Sequence, residues 1–373
     1  MRVLMLSKAC GVGAYQKKLE ELAALEGVEL MVIIPPYWQE ESRRIPLERL
    51  HTRGYRLEVE PIRFNGHFHF FYFPGLGRHL KSFRPDIVHV DEEPYNLASW
   101  HAMRLSNRIK ARTLFFTWQN LYRRYPPPFR WMEQYCFSKA DRAIAGNAEA
   151  VQVLRRKGFA KPVDVIPQFG VDPEIFRPED SDQLSAFSRQ PFRIGYVGRL
   201  VEQKGIMDLL EALAGMRGEF KLTMVGAGPL QATVEAKAAE LGIAEKVEII
   251  PGVPSQQMPG LYNRMDALVL PSRTRSNWKE QFGRALVEAM ACRVPVIGSD
   301  SGEIPNVIGD AGLVFPEGDV ESLRQHLEKL RESPELRREL GEQGRARVME
   351  HYTQAQIARL TYRVYQKISS SDR

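Results

Sequence analysis

The sequence predicts an α/β protein with parallel strands, divided into two domains. Three observations predict it. Short apolar runs alternate with helix-forming stretches, as in residues 267–270, 285–290 and 294–298. Glycine loops follow such runs, at Gly11-Val12-Gly13 and Gly226-Ala227-Gly228. The chain has 373 residues, more than one domain usually holds.

In the first half, residues 3–6 read as a buried strand and 15–25 as a helix with Leu19, Leu22 and Leu25 at helical spacing. Between them, Gly11 and Gly13 suit either a tight turn or a close backbone approach to phosphate. The third glycine of a dinucleotide fingerprint is missing. Residues 30–34, 86–90, 113–117, 140–146 and 163–167 read as further strands. The segment 62–84 mixes seven aromatic residues, such as Phe64, Phe68, Phe71 and Phe83, with Arg63, His67, Arg78 and Lys81. Packing in the core is the favoured reading. An acceptor-binding or membrane-facing surface is the alternative, and Arg123-Arg124-Tyr125 and Arg130-Trp131 repeat the chemistry.

Residues 176–191 are polar and proline-containing and read as a linker. Strands are expected at 192–197, 221–225, 247–250 and 266–272, and helices at 255–262, 320–332 and 334–363. The stretch 280–291 organises this half. Gly283 lies near a helix start, where backbone N–H groups and the helix dipole suit a phosphate. Glu280 and Glu288 bracket it, either as solvated charges or as two contacts to one ligand.

Hydrophobic residues make up 43% and charged residues 26% of the chain, as in ordinary globular proteins. The net charge of +6 favours anionic partners, but no nucleic-acid motif is present. The three cysteines are far apart, which argues against a disulfide frame or a zinc site. The N-terminal apolar stretch is too short for a signal peptide, and no run reaches the roughly 20 residues of a membrane span. A cytoplasmic protein is expected, placed at the inner face of a membrane if it touches one.

Glu280-x-Phe282-Gly283-x-x-x-x-Glu288-Ala289, followed by Pro295-Val296-Ile297, resembles the signature of retaining glycosyltransferases of the GT-B fold, in the family 4 or group 1 class. Gly198-Arg199…Lys204-Gly205 and Gly226-x-Gly228-Pro229 resemble further blocks of that family, in the same order. The resemblance is strong in the second half and weak in the first. It implies two Rossmann-like domains facing across a central cleft. Residues 1–175 would bind the acceptor, with about 355–373 packing back on them, and 192–354 would bind a nucleotide sugar.

The resemblance also implies site residues. Arg199 and Lys204 would hold the donor diphosphate, as fixed cations suited to the charge that grows on the leaving group. Glu280 would contact the sugar, Glu288 the ribose, and the backbone of Gly283, Ala285 and Leu286 the pyrophosphate. Gly198, Gly226, Gly228, Val253 and Phe282 would wall the nucleotide pocket, with Gly11 and Gly13 near the donor's sugar and phosphates. Glu92, Gln119 and Asn120 are acceptor-side candidates. Relatives carry a histidine where this chain has Gln119 or Asn120, which cannot shuttle a proton near neutral pH. Arg293 stands where relatives place glycine.

The expected function is transfer of a sugar from a UDP- or GDP-sugar to an acceptor hydroxyl with retention of configuration. The expected partners are that nucleotide sugar, a sugar- or lipid-linked acceptor and an anionic membrane surface, with no cofactor and no catalytic metal. Alternatives are an epimerase or phosphorylase of the same fold, a non-catalytic nucleotide-sugar sensor, and a dinucleotide oxidoreductase.

Overall fold

The computed structural model describes residues 1–40, 43–179 and 191–370. The chain divides into two compact units: Met1–Gly170 with Gln354–Arg373, and Val171–Thr353. Residues 180–190 of the expected linker lie outside the described residues.

The first unit is built on a seven-stranded parallel sheet of order β5-β2-β1-β6-β7-β8-β9. Its strands are β1 (Arg2–Leu6), β2 (Glu29–Ile34), β5 (Arg56–Val59), β6 (Ile87–Val90), β7 (Arg112–Thr117), β8 (Arg142–Ala145) and β9 (Val163–Val165). The central strands are buried on both faces, as their unbroken apolar runs require. A separate antiparallel hairpin, β3 (Tyr37–Glu40) and β4 (Arg43–Pro46), was not legible from alternation, since it carries Trp38, Pro46 and mixed charge.

The second unit has six parallel strands, order β12-β11-β10-β13-β14-β15. They are β10 (Phe192–Val197), β11 (Phe220–Val225), β12 (Val247–Ile250), β13 (Ala267–Leu270), β14 (Val296–Ser299) and β15 (Leu313–Phe315). Each sheet therefore reverses strand order at one point: between β1 and β6, and between β10 and β13. Ligands of doubly wound sheets bind outside the C-terminal strand ends at such a reversal.

One expectation about the extent of an element needs correction. The predicted helix over 334–363 is two helices, Pro334–His351 and Gln354–Ser369. Thr353 between them forms a parallel bridge with Val171, which removes it from the helical ladder. The later helix packs on Lys17–Ala23, and Ile357, Val364, Tyr365 and Ile368 join the core around Val3, Met5 and Ile144. There the Tyr365 hydroxyl lies 2.8 Å from Nδ1 of His89, whose pKa burial pushes down to about 4, so the ring is neutral near pH 7. His89 is a core histidine.

The aromatic segment divides. Phe71, Phe73 and Phe83 are buried in the core, whereas Phe64, Phe68 and Phe70 are exposed. Apart from a bridge between Arg63 and Tyr72, the segment forms no strand before the helix Leu76–Phe83. Among the described residues, no helix is long and apolar enough to cross a membrane.

Candidate functional site

The loops after β10 and β13 bring most of the predicted donor residues together. Lys204 ends a 3-10 turn, Glu202–Lys204, and Gly205 follows at φ 64°. A Cβ on Gly205 would lie 1.8 Å from the Pro271 carbonyl oxygen, so glycine lets the two loops touch. That approach puts Lys204 Nζ 2.5 Å from Oε2 of Glu280. Ser272 Oγ donates to the same carboxylate oxygen at 2.8 Å, and the Trp278 ring lies 5.0 Å from the ammonium. Both Lys204 and Glu280 are mostly buried, so their charges act at low effective dielectric. The Glu280 charge and, more strongly, burial raise the pKa of Tyr196, whose hydroxyl donates to the Arg199 carbonyl. The Glu280 backbone is fixed from behind. Its carbonyl accepts from Glu303 N, and a Cβ on Gly302 would fall 2.1 Å from it.

Gly283 caps the helix Arg284–Ala291 in a left-handed conformation, φ 80° and ψ 53°. Leu286 departs from its expected role: its side chain is fully buried and its N–H donates to the Gly283 carbonyl. The helix itself consumes that donor, which the sequence motif cannot reveal. Ala285 lies in the first turn. Glu288 is buried, with Tyr262 Oη donating at 2.8 Å and Arg284 Nε at 2.9 Å. A carboxylate has about four acceptor sites, so a ribose hydroxyl would share it with those groups.

The glycine walls are close-packed. A Cβ on Gly226 would meet Gly198 O at 2.0 Å, and one on Gly228 would meet Leu200 O at 2.3 Å. Arg199 is exposed, and its guanidinium has no partner among the described residues. Val253 follows β12 and is half-buried. Phe282 is buried against Tyr352, ring centroids 5.7 Å apart, and so acts in packing. The sequence reading missed Ser272, Trp278 and Tyr262, which carry no spacing signal of their own.

In the first unit, the loops after β1 and β6 meet. Lys8 N donates to Glu92 at 2.7 Å, and Ser7 Oγ donates to Asp91 at 2.8 Å. Glu92 and Glu93 are buried, and burial pushes each pKa up to about 7 despite Lys8 beside Glu92 and the Thr117 and Trp118 bonds to Glu93. Gly11 and Gly13 were expected near the donor's sugar and phosphates. Here the Gly13 N–H donates to the Glu48 carboxylate at 2.7 Å, and a Cβ on Gly13 would strike Leu50 at 2.5 Å. A carboxylate from the chain itself fills that anion position.

Gln119 and Asn120 are buried beyond β7. Lys157 Nζ donates to Gln119 Oε1 at 2.7 Å and to Glu133 at 2.6 Å, so the Gln119 carboxamide is oriented with its Nε2 toward the Tyr125 hydroxyl, 3.3 Å away. Burial lowers the Lys157 pKa, against the pull of Glu133. Lys157 and Glu133 are far from Gln119 in sequence, which hid them. Among the described residues, no three His, Cys, Asp or Glu side chains gather as a metal site would need.

Comparison with known proteins gives the site its setting. The model of the family described as glycosyl transferases group 1 matches residues 177–347, and that of glycosyltransferase family 4 matches residues 11–175. The chain is 30% identical over 228 residues to the GDP-mannose-dependent alpha-(1-6)-phosphatidylinositol monomannoside mannosyltransferase of Mycolicibacterium smegmatis, covering 55% of this chain and 59% of that protein. It is 32% identical over 209 residues to the MMP alpha-(1->4)-mannosyltransferase of Mycolicibacterium hassiacum, covering 54% and 48%. The chain thus spans about half the length of the curated relatives it matches. Sucrose-phosphate synthase from Thermosynechococcus elongatus superposes over 100% of both chains with a TM-score of 0.75 at 19% identity. Anabaena HepE, solved in complex with UDP and glucose, does so with a TM-score of 0.70 at 16% identity. Two doubly wound parallel sheets, two adjoining family matches and whole-chain superposition agree: the chain belongs to the GT-B glycosyltransferases of the family 4 and group 1 type.

Proposed function

We propose that this protein is a metal-independent, retaining glycosyltransferase that moves a sugar from a UDP- or GDP-sugar to an acceptor hydroxyl in glycoconjugate synthesis. The observation that carries the reading is the Lys204–Glu280 contact of 2.5 Å at the β10/β13 reversal, beside the Gly283 helix cap. In this reading the bond from the anomeric carbon to the diphosphate oxygen breaks, and its electrons stay on the diphosphate. Arg199 and Lys204 stabilise that negative charge. Glu280, oriented by Ser272 and Lys204, accepts from a sugar hydroxyl and stabilises positive charge at the anomeric carbon. The acceptor oxygen attacks on the face the diphosphate leaves, and its proton passes to a phosphate oxygen.

The acceptor belongs to the first unit. Glu92, Gln119 and Asn120 offer buried polar groups to hydroxyls there. The exposed Phe64, Phe68, Phe70 and Trp131, with Arg123, Arg124 and Arg130, suit the headgroup region of an anionic membrane and a lipid-linked acceptor. GDP-mannose and phosphatidylinositol mannoside stand in the name of one relative and support a donor and acceptor of this kind.

A thermal-shift screen with UDP, GDP and their sugars, followed by product analysis with chelator present, tests the reading. One nucleotide should raise Tm, and its sugar should be transferred with retained configuration and without added metal. Hydride transfer to a dinucleotide, or inversion, contradicts it.

A further inference from the structure

Beyond β7, five side chains of the first unit form a hydrogen-bonded chain, and one of them dictates its direction. Lys157 follows the helix Ala148–Arg156, and Glu133 lies in the helix Phe129–Lys139. Lys157 Nζ donates to Glu133 at 2.6 Å and to Gln119 Oε1 at 2.7 Å. An ammonium has donors only, so the carboxamide oxygen must face it and the amide nitrogen must face away. Gln119 Nε2 accordingly donates to Tyr125 Oη at 3.3 Å.

Tyr95 supplies a second bond to the same oxygen. Its ring centroid lies 4.3 Å from that of Tyr125. Burial pushes the Tyr125 pKa up to about 12, and the bond from Tyr95 works against that rise. On Tyr95 the same bond adds to the rise. A phenol that receives a hydrogen bond gives up its proton more easily, and one that donates holds it, so Tyr95 is the donor. A hydroxyl oxygen accepts at most two hydrogen bonds. Tyr125 Oη therefore receives from Gln119 and Tyr95 and has only its own proton left to offer. The side chain is half-buried, and Tyr125 donates to none of the described residues.

The surroundings suit an uncharged ligand. Burial pushes the Lys157 pKa down and the Glu133 pKa up. Charged together or discharged together, the pair adds no net charge. The walls are aromatic. The His69 ring lies 5.6 Å from Tyr95 and 5.9 Å from Tyr125, and burial lowers its pKa, which keeps it neutral near pH 7. Phe129 lies 5.0 Å from His69. Small-molecule sites combine such walls with a few fixed polar groups.

We propose that Tyr125 sets specificity in the acceptor site by donating its hydroxyl proton to an oxygen of an uncharged pyranoside, and that Lys157, acting through Gln119, is the positioning residue that fixes this direction. Without the ammonium the amide could turn over. Its oxygen would then take the Tyr125 proton, and the ligand would lose it. The inference rests on the reading that places the acceptor in the first unit.

Saturation-transfer NMR of the intact protein with methyl α-mannoside, methyl α-glucoside and methyl α-galactoside tests it. The wild type should bind at least one of them. Tyr125→Phe keeps the ring and removes the proton, and should weaken that binding roughly tenfold with circular dichroism unchanged. Lys157→Met/Glu133→Gln removes both charges at once, so no buried carboxylate is left alone. It should weaken binding roughly threefold to tenfold, and adding Tyr125→Phe to it should cost little more, because both changes act on one bond. A lysine with a purely structural role would give additive losses. If the paired variant loses its circular-dichroism signal, Gln119→Leu takes its place, with the same lack of additivity expected. A wild type that binds none of the three glycosides, a Tyr125→Phe variant that binds as the wild type does, or additive losses overturn the proposal. A glycoside that binds through Tyr125 but receives no sugar leaves this inference standing and removes the transfer reading. Transfer that Tyr125→Phe leaves unchanged does the reverse.

Discussion

The two strand reversals share one topology but gather different side chains, paired cations at one and a group of carboxyls at the other. At β10/β13, Lys204 meets one glutamate, Glu280, Arg199 stands exposed in the same loop, and glycines keep the neighbouring backbone bare. At β1/β6, Asp91, Glu92 and Glu93 crowd together, and the glycine loop is met by a fourth carboxylate, Glu48. Both ends have glycines, so glycine alone does not mark a phosphate site. In the proposed reading the paired cations at one end would suit a diphosphate, and the carboxyls at the other, with Lys18 3.9 Å from Asp91, would suit hydroxyls.

The largest effect should come from breaking the cationic end. Lys204→Ala or Glu280→Ala is expected to lower turnover by roughly 10²–10³-fold or more, with circular dichroism unchanged. Full turnover in either variant would remove the charge contrast as an explanation. Gly205→Ala comes next. The added methyl strikes the Pro271 carbonyl and must adopt φ 64°, so about 2 kcal/mol or more of stability should be lost in denaturant unfolding.

The acidic end should answer to pH. Glu92 and Glu93 hold protons in the fold up to about pH 7, whereas a free carboxyl releases its proton near 4.5. Between these values the folded chain binds more protons, so stability falls as pH rises from about 4.5 to about 7. Each group contributes at most about 3 kcal/mol. Glu93→Gln should flatten part of that slope in unfolding midpoints measured across this range. An unchanged slope would contradict the assignment. The smallest expected change lies outside both ends. Arg293 sits after a helix at φ 61°, where glycine carries no steric cost, and Arg293→Gly should stabilise by about 1 kcal/mol.

Much of the second reversal could be read beforehand because its residues lie in runs. Residues 198–205 and 280–288 are each local, and these are the residue types that a bound diphosphate would call for. The first reversal was harder. Its partners come from distant segments: Glu48 reaches Gly13 across 35 residues, and Lys157 reaches Gln119 across 38. No periodicity records such pairs. The strands were legible where both faces are buried, as in β1 and β13, and invisible in the amphipathic edge strand β5 and the β3–β4 hairpin. The aromatic segment defeated a single reading because Phe70 and Phe71, adjacent in sequence, point to solvent and to core.

The helix Gln354–Ser369 belongs to the first unit although the whole second unit precedes it in the chain. On a ribosome, the amino-terminal sheet must therefore wait, with the surface around Val3, Met5 and Ile144 uncovered, until some 180 intervening residues have emerged. Truncation before residue 354 would leave that wait permanent, and the orphaned surface would become a target for chaperones and proteases.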